Sequence, residues 1–173
     1  MKQANYRVEQ AVEAFYSDAA AQRGAASSSS ANSATRKESE KKLGAIFDEY
    51  RDEDEESGAV MTIEGTMSYC EALGVSPEDV VLLPLSFYLQ SPTMGQFNRD
   101  AFINGWRTMA DGTKACDTVQ GQKDYLPTLT KELQTDAAVK GDLGNAKGSG
   151  LYKRTYEYTY NFARPEGQKS VRE

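Results

Sequence analysis

The chain has 173 residues, enough for one domain of ordinary size with sequence to spare. Hydrophobic residues make up 39% of it, below the roughly 45–50% apolar share of typical globular domains, which implies a folded core diluted by stretches that do not pack. The 26 acidic residues outnumber the 20 basic ones, and the resulting net charge of −6 works against a phosphate-gripping surface, so nucleic acid is excluded as a general partner.

No apolar run approaches the roughly 20 residues needed to span a bilayer, and the start MKQANYRVEQ carries no apolar signal core. The expected locations are therefore cytoplasm and nucleus, with no membrane partner. Histidine is absent, which removes Ser–His and Cys–His nucleophile pairs and the commonest zinc ligand. Cys70 and Cys116 belong to no CxxC pair and read as buried free thiols. The residues thus nominate no catalytic group, no metal ligand and no cofactor.

In chain order, residues 4–18 place Val8, Ala11, Val12 and Phe15 at helical spacing. A helix of that length is marginal alone, so it reads as the last helix of a bundle. Residues 19–38, rich in Ala and Ser, read as a long disordered linker. The folded region is expected over 39–173. Leu43, Ile46, Phe47 and Tyr50 mark an amphipathic helix, and Met67, Tyr69, Cys70 and Leu73 mark a second beyond the acidic stretch DEDEESG.

Ser76-Pro77-Glu78-Asp79 is a helix-start signature, predicting a helix from Pro77 to about Gln90, apolar nearly all round, central, and bent at Pro84. Asn98 is the expected cap of a helix carrying Phe102, Ile103, Trp106 and Met109. Residues 117–135 predict one or two helical turns around Tyr125, Leu126, Leu129 and Leu133, broken at Pro127. Residues 137–150 read as a surface insertion, 151–163 as an aromatic-rich helix, and 164–168 as a turn. Ser170 to Glu173 matches a capping box, the opening of a further helix.

Helix, acidic loop and helix together resemble an EF-hand unit. With Gly58 at loop position 6, Glu53, Glu55 and Ser57 fall at the early ligand positions, Val60 at position 8 and Glu64 at position 12. A second loop repeats the frame with Gly95 at 6 and Phe97 at 8, but Gln90, Pro92, Met94 and Ala101 offer no calcium cage. The fold class is therefore all-α: an EF-hand-like pair of helix-loop-helix units followed by further helices, Val60 and Phe97 pairing across the loops. Such pairs open grooves for apolar side chains of a partner. A calcium-responsive peptide-binding protein is the alternative this frame leaves open.

The runs KKLGAIFDEYRD, TIEGTMSYCEALGVSPEDVVLLPLSFYLQSPTMGQFNRDAFINGW and YEYTYNFARPEGQKSV, in that order, resemble the potentiating-neddylation (PONY) domain of the Defective-in-cullin-neddylation proteins. The likeness spans 41–173, interrupted at 137–150. NYRVEQAVEAFYS is similar to the last helix of the ubiquitin-associated (UBA) domain that many members carry, so residues 1–18 are its expected remnant and the chain is expected to be truncated at both ends.

The resemblance implies a scaffold-type ligase that holds a cullin and the charged conjugating enzyme together, a gain from orientation rather than from an acid or base. It implies capture of the conjugating enzyme's acetylated amino-terminal methionine by positions matching Ile63, Thr66, Leu82, Leu85, Ser86, Leu89, Phe97 and Phe162. It places cullin binding in a region beyond Glu173, and assigns ubiquitin or its relatives to a complete UBA domain. Thr66 and Ser86 are more polar than the family's pocket leads one to expect, and Gly95 offers no side chain at its lip.

Overall fold

The computed structural model describes residues 33–51, 59–93, 95–141, 143 and 150–163, with the side chains of 161–163 outside the description. The chain divides into two compact units, 1–38 and 39–173. The helix expected over 4–18, the turn at 164–168 and the capping box lie outside the described residues. Of the linker expected over 19–38, only 33–38 are described, and they are helical. Ala34, Arg36, Lys37 and Glu38 are all good helix formers, so the first helix starts earlier than Ser39.

The elements are α1 (33–50), β1 (Val60–Met61), α2 (Ile63–Leu73), α3 (Leu82–Tyr88), β2 (Phe97–Asn98), α4 (Arg99–Met109), α5 (Val119–Gln134) and α6 (Leu151–Ala163). The class is all-α. The runs α1–β1–α2 and α3–β2–α4 form the EF-hand-like pair, their loops joined by the antiparallel β1–β2 ribbon.

The ribbon's register differs from the sequence frame by one residue. Met61, not Val60, pairs with Phe97, and Val60 pairs with Asn98. Burial decides this: Met61 and Phe97 are enclosed, whereas Val60 is half-buried and Asn98 exposed. Because side chains alternate along a strand, a one-residue slip would turn the enclosed pair outward. Met61 therefore takes loop position 8, Glu64 falls at 11 and Gly65 at 12. A Cβ at Gly65 would lie 2.0 Å from the Tyr50 carbonyl oxygen, so backbone of α1 stands where a position-12 carboxylate would branch off.

The helix expected from Pro77 begins only at Leu82. From Ser76 the chain makes tight i→i+3 turns: Asp79 N donates to Ser76 O at 2.9 Å and Leu82 N to Asp79 O at 3.0 Å. The Asp79 carboxylate accepts from Val81 N at 2.9 Å. A helix running from Pro77 would drive the Pro84 ring against the Val80 carbonyl and lose that hydrogen bond. Starting at Leu82 puts Pro84 in the first turn, where the missing N–H has no helical acceptor to lose. Pro84 thus sets a beginning, not a bend. As expected, α3 is central: it packs on α4, α5 and α6.

Pro127 does not break α5, which runs unbroken for 16 residues. Thr118 caps it, its hydroxyl accepting from Gly121 N at 3.1 Å. Burial of Leu126, Leu129 and Leu133, each worth about 1.5–3 kcal/mol, outweighs the roughly 3 kcal/mol cost of an interior proline.

The base of 137–150 is fastened to the body. Ala138 bridges Gly150, and Leu151 N donates to Ala137 O at 2.8 Å. Asp136 caps α6 from a distance, its carboxylate accepting from Tyr152 N at 2.9 Å. Lys140 reaches the Tyr125 hydroxyl at 2.6 Å, Glu132 at 2.8 Å and the Met109 carbonyl at 3.2 Å, and its own N–H donates to the Tyr88 hydroxyl. The base of the insertion is therefore structural rather than a loose surface loop.

The core carries an aromatic ladder in which Tyr69 lies 5.4 Å from both Tyr50 and Phe102, and Phe102 lies 5.5 Å from Phe47. Such pairs contribute about 0.5–1.5 kcal/mol each beyond area burial, and here they tie α1, α2 and α4 together. Tyr69 donates to Gln122 Oε1 at 2.7 Å, and Gln122 Nε2 donates to the Cys116 carbonyl at 3.1 Å, linking α2 to α5. Both cysteines are buried free thiols, as expected.

Candidate functional site: an apolar groove between α2 and α3

Ile63, Thr66, Met67 and Cys70 recur at i, i+3, i+4 and i+7, one face of α2. That face forms one wall of a groove of about 630 Å³. The turns before α3 and the helix itself form the other wall with Pro77, Glu78, Asp79, Val80, Leu82, Leu83 and Ser86. Gly95 and Phe97 contribute from the second loop, and Tyr158 and Thr159 from α6.

Hydrogen bonds fix these walls. Thr66 Oγ1 donates to the Gly95 carbonyl at 2.9 Å, tying α2 to the second loop. Gly95 sits at φ +76°, a left-handed turn that glycine adopts without strain. A Cβ there would meet Ile63 Cγ1 at 3.2 Å and narrow the groove. The Tyr158 hydroxyl donates to the Ser91 carbonyl, which holds α6 along the groove's side, and burial pushes that phenol up to about 12. The extra polarity of Thr66 is thereby matched within the protein.

Of the positions expected to form the pocket, Ile63, Thr66, Leu82, Ser86 and Phe97 come together in this groove. Leu85 and Leu89 do not line it: they are 1% and 0% exposed and belong to the core. α3 has two apolar faces, with Leu82, Leu83 and Ser86 on the groove and Leu85, Tyr88 and Leu89 on the core, and hydrophobicity does not separate them. Phe162 lies in α6, but its side chain falls outside the description. Sequence reasoning missed Met67, Cys70, Leu83 and the turn from Pro77 to Val80. The helical spacing of Met67 and Cys70 from Ile63 was the available signal.

The groove walls are unusually uncovered. Five large hydrophobic side chains are exposed among the described residues, and three of them, Ile63 (56%), Met67 (55%) and Val80 (57%), line this groove. The thiols offer little chemistry: burial raises the Cys70 thiol and pushes Cys116 up to about 11, so both stay protonated and weakly nucleophilic at neutral pH. Among the described residues, no group of three or more His, Cys, Asp or Glu side chains is placed to hold a metal ion, and no helix is long and apolar enough to cross a membrane.

Fold and site together define an EF-hand-like helical module with an open apolar groove. No family model matches the chain. Among curated proteins it is similar to Defective in cullin neddylation protein 1 of Mycosarcoma maydis, 41% identical over 194 aligned positions covering 99% of this chain and 60% of that protein. The namesake in Cryptococcus neoformans is 30% identical, covering 95% of this chain and 50% of the relative. DCN1-like protein 5 of Homo sapiens is 29% identical, covering 77% and 47%. The chain belongs to the family of Defective in cullin neddylation proteins, and it spans 60% of the first of these relatives and about half of the other two.

Proposed function

We propose that this chain is a non-catalytic scaffold in cullin neddylation whose groove captures the acetylated amino-terminal methionine of the conjugating enzyme. The observation that carries the reading is the groove itself: exposed Ile63, Met67 and Val80 around a recess floored by Thr66, Cys70 and Phe97. An uncovered apolar surface of this kind is what a docking partner removes from water. Ile63, Thr66, Leu82, Ser86 and Phe97 are the contact residues in this reading, with Leu85 and Leu89 holding α3 from behind. Phe162 stands beside them on the resemblance alone.

Burying a methionine side chain contributes about 1.5–3 kcal/mol. An α-ammonium carried into the same recess loses hydration without a fixed partner, so the acetylated terminus is preferred. The gain for the reaction is proximity: a held conjugating enzyme delivers its thioester to a cullin lysine without any acid or base from the scaffold. Cullin contact falls, in this reading, to the part of the family's proteins that this chain does not span, and the working compartments are cytoplasm and nucleus.

The test is calorimetry of the complete chain with amino-terminal conjugating-enzyme peptides, acetylated and free. The acetylated peptide binds at least tenfold more tightly, and Ile63→Asp or Val80→Asp abolishes the difference while the exposed positions leave folding intact. Equal binding of both peptides, or none, contradicts the reading.

A further inference from the structure

The groove's polar residues are not spread evenly. Glu78 and Asp79 stand together in the turn between α2 and α3, and they are the only charged residues among its described lining. Both are exposed. The Asp79 carboxylate is oriented by one of its oxygens, Oδ1, which accepts from Val81 N at 2.9 Å. Among the described residues no Lys or Arg lines the groove, and the whole chain carries a net charge of −6. An apolar recess with an acidic end complements one kind of segment: an apolar anchor with a cationic side chain close by and no acid beside it.

We infer that the Glu78–Asp79 turn reads a lysine or arginine near the anchored apolar residue of the docked segment, so that the groove selects for charge as well as for shape. This rests on the proposed capture of an amino-terminal segment. A lysine suits the geometry because its flexible four-carbon stem lies along apolar wall while its ammonium stays hydrated at the rim. An α-ammonium has no such stem and follows its own side chain into the recess. The same carboxylates repel an acidic residue at that position, which excludes other acetylated termini of equal hydrophobicity.

The experiment uses the complete chain and synthetic acetyl-methionine peptides in which one lysine is moved through positions two to five of an otherwise neutral sequence. A matched set carries glutamate instead. At one position lysine binds about three- to tenfold more tightly than glutamate at low salt, and the preference shrinks as salt rises. Glu78→Lys reverses that preference, while Asp79→Asn, which keeps an acceptor for Val81 N, weakens it. If every peptide binds equally well whatever its charge, the inference is overturned and methionine capture stands. If a free-amine peptide without lysine binds as tightly as the best acetylated one, the carboxylates serve the terminus and the inference is again overturned. If no peptide binds, the capture reading fails and takes this inference with it.

Discussion

Single atoms decide how α2 sits. Gly65 has the Tyr50 carbonyl oxygen 2.0 Å from where a Cβ would be, and the Met61 side chain at 3.0 Å. Backbone cannot yield as a flexible side chain can, so Gly65→Ala must push α2 away from α1 and disturb the wall that carries Ile63 and Thr66. The expected loss is about 2–4 kcal/mol in urea denaturation, beyond the usual effect of an overpacked site. A loss below about 0.5 kcal/mol would mean that α1 and α2 are not held this closely.

Cys116 is 1% exposed, and burial followed by the neighbouring Asp117 carboxylate raises its thiol from 9.0 to about 11. The folded chain therefore holds this proton more tightly than the unfolded chain does. Its contribution to stability is complete below about pH 9 and is lost as pH climbs toward about 11. Tyr125, raised to about 12, carries the decline further. Thermal melts across this range should show a falling midpoint that Cys116→Ala makes shallower between pH 9 and 11. An unchanged slope in the variant would remove Cys116 as a cause. The role of Gly65 could not be assigned from sequence, because it depends on the Tyr50 carbonyl brought from α1, whereas the burial of Cys116 was legible.

At the scale of elements, the sequence was most legible where one periodic face met one core. The boundaries of α6, the Asn98 start of α4 and the apolar spacing of α1 are all visible in the residues. It was least legible around proline. Pro84 and Pro127 read alike as helix disturbances, yet one begins a helix and the other is carried inside one. What separates them is local at one and tertiary at the other: the Asp79 turn ahead of Pro84, and the buried leucines on both sides of Pro127. Since Pro127 is exposed and forfeits an interior hydrogen bond, Pro127→Ala should stabilise the chain by about 1–3 kcal/mol, read as a higher denaturation midpoint with unchanged helix content. No gain would indicate that α5 has already relaxed around the ring. The ribbon register belongs here too. Glycine spacing alone placed Val60 at position 8, and only the enclosure of Met61 against Phe97 moves it.

At the scale of the whole molecule, the paired helix-loop-helix units, the central α3 and the flanking α6 border the apolar recess, and the sequence pointed to residues on α2, on α3 and in the second loop that line it. Five of the eight expected positions meet there. The two buried leucines went astray because α3 is apolar on both sides, and the uncovered Met67 and Val80 went unnoticed because exposure is not written in residue type. The fastened base of 137–150 was equally hidden, since Lys140 finds its partners only after α3, α4 and α5 have assembled. The most direct test of the groove as a docking site is methyl-resolved NMR of the full chain titrated with an acetyl-methionine peptide. The methyl signals of Ile63, Met67, Val80, Leu82 and Leu83 should shift together and saturate at one stoichiometry, while those of Leu73, Leu129 and Leu133 in the core stay in place. Shifts confined to some other face, with the groove methyls silent, would contradict the account.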